Sequence, residues 1–287
     1  MAEVTTTTAS VFLPEIWQEA ILDYAERQFR LRNQVTEVSD VGAGDVLHIP
    51  RVTEETAATL SSGSAVTFGA NTDTEIQLSM DKHIVEGKRI GDLVRVQSSY
   101  DLFNLYSRSI GYSIAKKVES EIASLMQTAS GNDVTLSSDN TFTTALVRSG
   151  LQKLLDQNVD YTNGDTFFYM SPASYMSVSS LGEFSDYEKR GPENGEGPNI
   201  SGAIQKVMGM ETYVSTDWDD DGGTGDETAT IFTRDSILYA EQFPLRVQQS
   251  YNLEYLATEL VADQLVGVAL HQAANAAKCQ IVNFNNP

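Results

Sequence analysis

The residues best suited to chemistry in this chain are the carboxylates of Asp217-Trp218-Asp219-Asp220-Asp221-Gly222, followed by Gly223, Gly225, Asp226 and Glu227. Asp217, Asp219 and Asp221 alternate ahead of a glycine, the arrangement by which the first half of a calcium loop surrounds a hard cation with oxygen. The twelfth position, where a bidentate Glu belongs, is Thr228, and Glu227 stands one residue early. The flanks read as strands, which excludes an EF-hand. Two readings stay open: a solvated Asp- and Gly-rich turn, or a site for Ca²⁺ or Mg²⁺ ligated by Asp217, Asp219 and Asp221. No other cofactor is expected.

The remaining candidates carry less. Gly42-Ala43-Gly44-Asp45 has the first half of a dinucleotide fingerprint, but it lacks the third glycine and precedes a strand, so it reads as a turn. There is no Walker A loop, no G-x-S-x-G and no H-E-x-x-H. The single Cys279 lies in an apolar context beside Lys278 and fits packing better than nucleophilic attack. His48 and His83 fall in two β stretches that can pair and so bring them together, yet two histidines without a third ligand hold metal weakly. No catalytic residue is expected, and the chain does not read as an enzyme.

The elements that must position these groups follow from periodicity. Ile16, Trp17, Ala20, Ile21 and Tyr24 predict an amphipathic helix from Pro14 to about Arg32. From Val35 to about Val96 the pattern turns to β, with Val46 to Pro50 and Ile76 to Met80 alternating apolar and polar. Between them, Thr53 to Thr74 has little with which to build a core, so it is a mobile loop or a hairpin that packs on something else. Leu102, Tyr106, Ile110, Ile114, Val118, Ile122 and Met126 predict a helical rod of about 40 Å, from Asp101 to Gly131. A shorter helix follows over 143–156, then a buried strand over 166–171 and a short helix over 174–181. Glu183 to Gly202 reads as a surface loop, and strands 211–215 and 228–233 flank the acidic stretch. Val261 to Leu270 and Gln280 to Val282 close the chain as strand-like runs.

Composition narrows the function. The 287 residues hold 19 Lys+Arg against 40 Asp+Glu, a net charge of −21. That balance argues against a sequence-independent grip on nucleic acid and against anionic membrane surfaces. No apolar run approaches the roughly 18 residues that span a bilayer. Met1 to Thr8 lacks the basic start and apolar core of a signal peptide. One cysteine forms no intramolecular disulfide, and three histidines assemble no zinc cluster.

The succession of elements is what can be recognised. Leu13-Pro14-Glu15-Ile16-Trp17 is followed by Gly44-Asp45-Val46-Leu47-His48-Ile49-Pro50-Arg51, then by a long hairpin of low hydrophobicity. That hairpin feeds the rod-like helix through Asp92 to Leu102, and the chain closes with Val261 to Leu270. This order resembles tailed-bacteriophage major capsid proteins of the HK97 fold, over essentially the whole chain. The resemblance implies an α+β protein with an N-terminal arm (1–43), an extended β-hairpin loop (44–97) and a peripheral domain with a long spine helix and sheet (98–160). A mixed α/β axial domain (161–249) and a return to the peripheral domain (250–287) complete it.

It also implies a function: self-assembly into pentamers and hexamers of an icosahedral virion shell that encloses double-stranded DNA, made in the bacterial host cytoplasm. The expected partners are further copies of the chain, a separate scaffold protein, a portal and a decoration protein; no membrane is involved. Lys82 and Lys88 lie where the resemblance implies that some relatives form an isopeptide bond, but no cross-link is expected, since a Lys–Asn pair needs a nearby catalytic carboxylate and the sequence cannot show one. Two other readings compete: an encapsulin-like compartment shell, and a calcium-dependent surface-layer or adhesin protein.

Overall fold

Ile110, Ile114, Val118, Ile122 and Met126 recur every four residues, which aligns them along one face of a helix, and all five are buried. Around this stripe the rest of the chain is organised. The computed structural model describes residues 29–39, 44–51, 74–97, 102–129, 131–137, 141–181, 206–218, 227–271 and 280–287, with isolated positions among 21–25, at 42 and among 57–66. Most of the Thr53 to Thr74 segment, the Glu183 to Gly202 loop and Cys279 lie outside the described residues, as does the helix start expected at Pro14.

In chain order the elements are β1 (Thr36–Val38), β2 (Val46–Arg51), β3 (Thr74–Ser79), β4 (Lys82–Gly91), α1 (Asp92–Gln97), α2 (Leu102–Gln127), β5 (Val134–Thr135) and α3 (Thr144–Leu155). Then come β6 (Thr166–Met170), α4 (Pro172–Ser179), β7 (Lys206–Val207), β8 (Met210–Val214), β9 (Glu227–Thr233), β10 (Ile237–Asn252), β11 (Ala257–Leu270) and β12 (Ile281–Asn285). The class is mixed α+β. Three sheets form: a four-stranded one in the order β1-β10-β11-β4, a six-stranded one in the order β5-β12-β9-β6-β8-β7, and the β2–β3 hairpin.

Both large sheets use α2 as their cover. Its buried stripe packs with Phe167, Tyr169, Phe232 and Ile281 of the six-stranded sheet and with Tyr239, Val247, Leu260, Ala262 and Val266 of the four-stranded one. The other face of the six-stranded sheet, through Phe168, Met170, Ile231, Val282 and Phe284, is closed by Val147, Leu151 and Leu154 of α3 and by Val178 of α4. Covered on both sides, β6 has all five residues buried, so Thr-Phe-Phe-Tyr-Met reads as a continuous apolar run. Caps fix the two short helices: Thr143 accepts from the Leu146 N–H, Ser171 accepts from the Ser174 N–H, and Pro172 opens α4.

The hairpin crosses the remaining face of the four-stranded sheet at its root. Leu78 and Met80 pack on Ala240 and Ala269, and a Cβ at Gly267 would stand 2.6 Å from the Ser79 carbonyl and 2.7 Å from the Met80 sulfur. Only a residue without a side chain permits that approach.

Two expectations need correction. The N-terminal helix does not reach Arg32: Phe29 to Leu31 are irregular and Arg32–Gln34 form a single 3₁₀ turn. Asp92–Gln97 is helical where β structure was expected. The longest strand among the described residues, β10, carries register shifts around Phe243 and Arg246 that accommodate Pro244. Val261 to Leu270, expected as a strand-like run, lies within β11. Among the described residues no helix is long and apolar enough to cross a membrane.

Candidate functional site

The acidic stretch leaves β8 through a turn that folds on itself. The Ser215 hydroxyl donates to the Asp217 carboxylate at 2.8 Å, and the Asp217 N–H donates back to the same hydroxyl oxygen at 3.2 Å. The next residue turns inward. Trp218 is buried, its ring 5.1 Å from that of Tyr169, and its indole N–H donates to the Thr230 hydroxyl at 2.8 Å. Thr230 donates to the Asn283 side-chain carbonyl at 2.7 Å, and the Asn283 amide donates to the carbonyls of Met126 and Ala129 at 3.1 and 2.7 Å.

Those two carbonyls lie at the end of α2, where backbone acceptors have no intrahelical partner. A buried chain of hydrogen bonds therefore joins the base of the acidic turn, through β9 and β12, to the long helix. Gln127 completes the joint by donating to the Asp217 carbonyl at 3.2 Å. Of the three expected ligands the structure places Asp217 only; Asp219 and Asp221 lie outside the described residues. Among the described residues no group of three or more His, Cys, Asp or Glu side chains is placed to hold a metal ion.

Two turns further back along α2 stands a residue that sequence reasoning missed. The Glu119 carboxylate accepts the backbone N–H groups of Arg30, Leu31 and Arg32 at 3.2, 2.8 and 3.0 Å. Burial pushes its carboxyl above the ordinary glutamate value, the three N–H groups pull it down, and nearby Asp217 pushes it up again; the net direction is upward. Beside it a cavity of about 230 Å³ is lined by Arg30, Lys116, Tyr169 and Asp217. Glu119 thus pins the segment ahead of β1 to the long helix and explains why the N-terminal helix stops short of Arg32. A lone Glu on a helix carries no signal in sequence that it will cap a segment 88 residues away.

No protein-family model matches the sequence, and no curated protein matches it. Solved structures do. A structure from Mycobacterium phage Che8 superposes with a TM-score of 0.68 at 21% identity, covering 84% of this chain and 85% of that one. The capsid structure of cyanophage P-SCSP1u gives 0.72 at 15% identity over 90% and 88% of the two chains. The asymmetric unit of the mature capsid of bacteriophage PhiM1 gives 0.70 at 12% over 90% and 86%. The chain has a phage-capsid fold.

Within this capsid fold the remaining polar candidates act as struts between strands. His48 contacts Glu75 across the hairpin at 3.0 Å, whereas His83, on β4, contacts Asp263 of β11 at 3.0 Å. The two histidines do not share a strand pair, because β2 pairs with β3 and β4 pairs with β11. Arg246 of β10 grips the same Asp263 with Nε and Nη2 at 2.8 and 2.7 Å. This double hydrogen bond, more than the contact from His83, holds the Asp263 carboxyl below its ordinary value. The fold also supplies what the sequence could not show beside the two lysines. Lys82 lies 3.7 Å from Glu121 and Lys88 lies 2.7 Å from Glu86, so both have a carboxylate at hand.

Proposed function

We propose that this chain is the major capsid protein of a tailed phage, assembling into an icosahedral shell around double-stranded DNA. One observation carries the reading: the likeness to phage capsid structures extends over about nine-tenths of both chains. A binding module grafted on a larger fold would match only in part. The charge of −21 supports it, since a shell with acidic walls does not trap the polyanion it must later release. So does a polar, Thr- and Ser-rich segment over 53–74 with few large apolar groups.

In this proposal residues 1–43 are the N-terminal arm, 44–97 the extended loop, 98–160 the peripheral domain with its spine helix, 161–249 the axial domain and 250–287 the return. The partners are copies of the chain in pentamers and hexamers, a separate scaffold protein, a portal and a decoration protein. The protein resides in the virion and is made in the host cytoplasm. It has a structural role and not a catalytic one. Divalent ions at Asp217, Asp219 and Asp221 belong to the same proposal, because copies of one acidic turn brought together around a symmetry axis repel unless cations are shared.

Electron microscopy of the full chain co-expressed with its scaffold protein tests the assembly. Closed particles are expected, and a monomer under all conditions overturns the reading. Adding a chelator to such particles tests the ions: an unchanged melting temperature removes the metal from the proposal.

A further inference from the structure

One face of the long helix departs from the charge of the rest of the chain. Between Asp101 and Glu119 there is no Asp or Glu, in a protein that holds 40 of them. Arg108, Tyr112 and Lys116 stand four residues apart, so they share one face of α2, and all three are exposed. Lys117 is drawn aside by its ion pair with Glu121 at 2.7 Å. Lys116, by contrast, has no hydrogen bond or ion pair among the described residues.

This stripe runs into the cavity beside Glu119, where Tyr112 and Lys116 form part of the wall. Four charged groups line that cavity and sum to zero, Arg30 and Lys116 against Glu119 and Asp217. They differ in what they already hold. Glu119 accepts three backbone N–H groups, and Asp217 accepts the Ser215 hydroxyl. Both acids are therefore served from within the chain, whereas the Lys116 ammonium is not. Behind it stands Tyr169, 2% exposed, with a buried hydroxyl that has no hydrogen-bond partner. Burial first, and then the Glu119 charge, push the Tyr169 pKa upward, while Arg30 opposes them. The hydroxyl thus feels the groups of the cavity and keeps its proton. What the cavity offers unspent are donors, and donors aimed into one space call for an oxyanion.

We infer that this cavity is a seat for a phosphate group, held by the Tyr169 hydroxyl, the Lys116 ammonium and the Arg30 guanidinium, and that in the shell a backbone phosphate of the enclosed DNA fills it. The exposed face of α2 then looks into the lumen. The occupant rests on the shell reading; the seat does not. Four residues of helix rise about 6 Å, and a duplex presents a phosphate every ~3.4 Å along each strand. A row of phosphates therefore answers the whole stripe, where a single carboxylate would answer the cavity alone. Side chains of Arg, Lys and Tyr are the usual partners of phosphate oxygens, and such contacts carry no base sequence. One short seat in each acidic chain gives a hold that is weak per copy, which a shell that must release its DNA can tolerate.

Two arms separate the seat from its occupant. In the first, inorganic phosphate is added to the unassembled full chain and compared with chloride at equal ionic strength. Phosphate is expected to raise the melting temperature of the parent in a saturable way. Tyr169→Phe removes only the unpartnered hydroxyl, so the melting temperature without phosphate holds or rises, while phosphate affinity falls by on the order of tenfold or more. Lys116→Gln weakens binding in the same way. Lys206→Gln, a change at an exposed lysine of β7, leaves it as in the parent. In the second arm, DNA-filled particles are fixed with formaldehyde, and mass spectrometry is expected to find Lys116 among the lysines joined to DNA.

A melting temperature that phosphate does not move, or a gain that persists unchanged in Tyr169→Phe, overturns the seat and leaves the shell reading intact. Phosphate binding by the free chain, with Lys116 absent from the DNA cross-links of filled particles, makes free phosphate the ligand and overturns DNA as the occupant. Phosphate binding by a chain that never closes into particles keeps the seat and overturns the shell.

Discussion

The two turns that interrupt this fold solve opposite problems. At the acidic turn the large apolar residue, Trp218, points inward and is locked by Thr230 and Asn283. At the β10–β11 tip the polar groups, Asp92 and Tyr251, bond to each other while Leu253, Tyr255 and Leu256 are exposed. A chain that can bury an aromatic ring completely at one turn does not leave three large side chains out at the other for want of room. The six-stranded side is built to be finished within one chain, and the four-stranded side presents a surface that its own chain leaves uncovered.

The comparison breaks most completely at the element both sides share. Ile122→Asp places a carboxylate in the fully buried stripe of α2, which costs several kcal/mol without a partner. Insoluble protein is expected, and a soluble chain with an unchanged thermal melt would show that α2 is not the common core.

A smaller effect is expected from Asn283→Ala, which strands the Met126 and Ala129 carbonyls and the Thr230 hydroxyl. A loss of roughly 2–4 kcal/mol in chemical denaturation follows from leaving buried polar groups unpaired. Hydrogen exchange at 215–218 should rise while 251–257 stays as in the parent. Equal loosening of both turns would mean that they are not independently supported.

Gly267→Ala probes the third sheet. Its new methyl meets the Ser79 carbonyl and the Met80 sulfur, an overpacking worth about 1–3 kcal/mol. The amides of β2 and β3 should lose protection first; an unaltered hairpin would show that its root is not held there.

The smallest effect is one of pH. Asp263 ionises more readily in the folded chain than unfolded, so its stabilisation is present above the ordinary aspartate range near about 4 and is lost as pH falls through it. With Arg246 half exposed to solvent, the loss should be about 1 kcal/mol or less. Asp263→Asn should flatten the acid limb of the stability profile. Glu119 has the reverse sign: its raised carboxyl favours the folded chain below the ordinary glutamate range, and that advantage disappears as pH rises.

How legible the molecule is from sequence differs between these regions for physical reasons. The long helix, the helix capped by Thr143 and the strand of Thr166–Met170 are local patterns, and each forms where periodicity and caps place it. β10 is harder to read, because Pro244 and the bulges around it interrupt the alternation along Ile-Leu-Tyr-Ala-Glu-Gln-Phe-Pro. Pairings between distant segments leave no local mark. His48 and His83 are each in β structure, but nothing in the sequence says that their partners are Glu75 and Asp263. Asp217 drew notice for its neighbours in sequence, whereas Glu119 matters for neighbours that only the fold supplies.

The place of β12 has a consequence for synthesis. This strand lies between β5 and β9, and it carries the asparagine that closes the end of the long helix. A nascent chain that has reached only the end of β11 has both sheet neighbours in hand and no strand to put between them. The Trp218–Thr230 pair is then without its third member. The six-stranded half therefore waits on a strand made after β10, β11 and the tip between them. A chain cut short before Ile281 would carry the apolar tip without the finished body, the combination a cell making many copies at once can least tolerate.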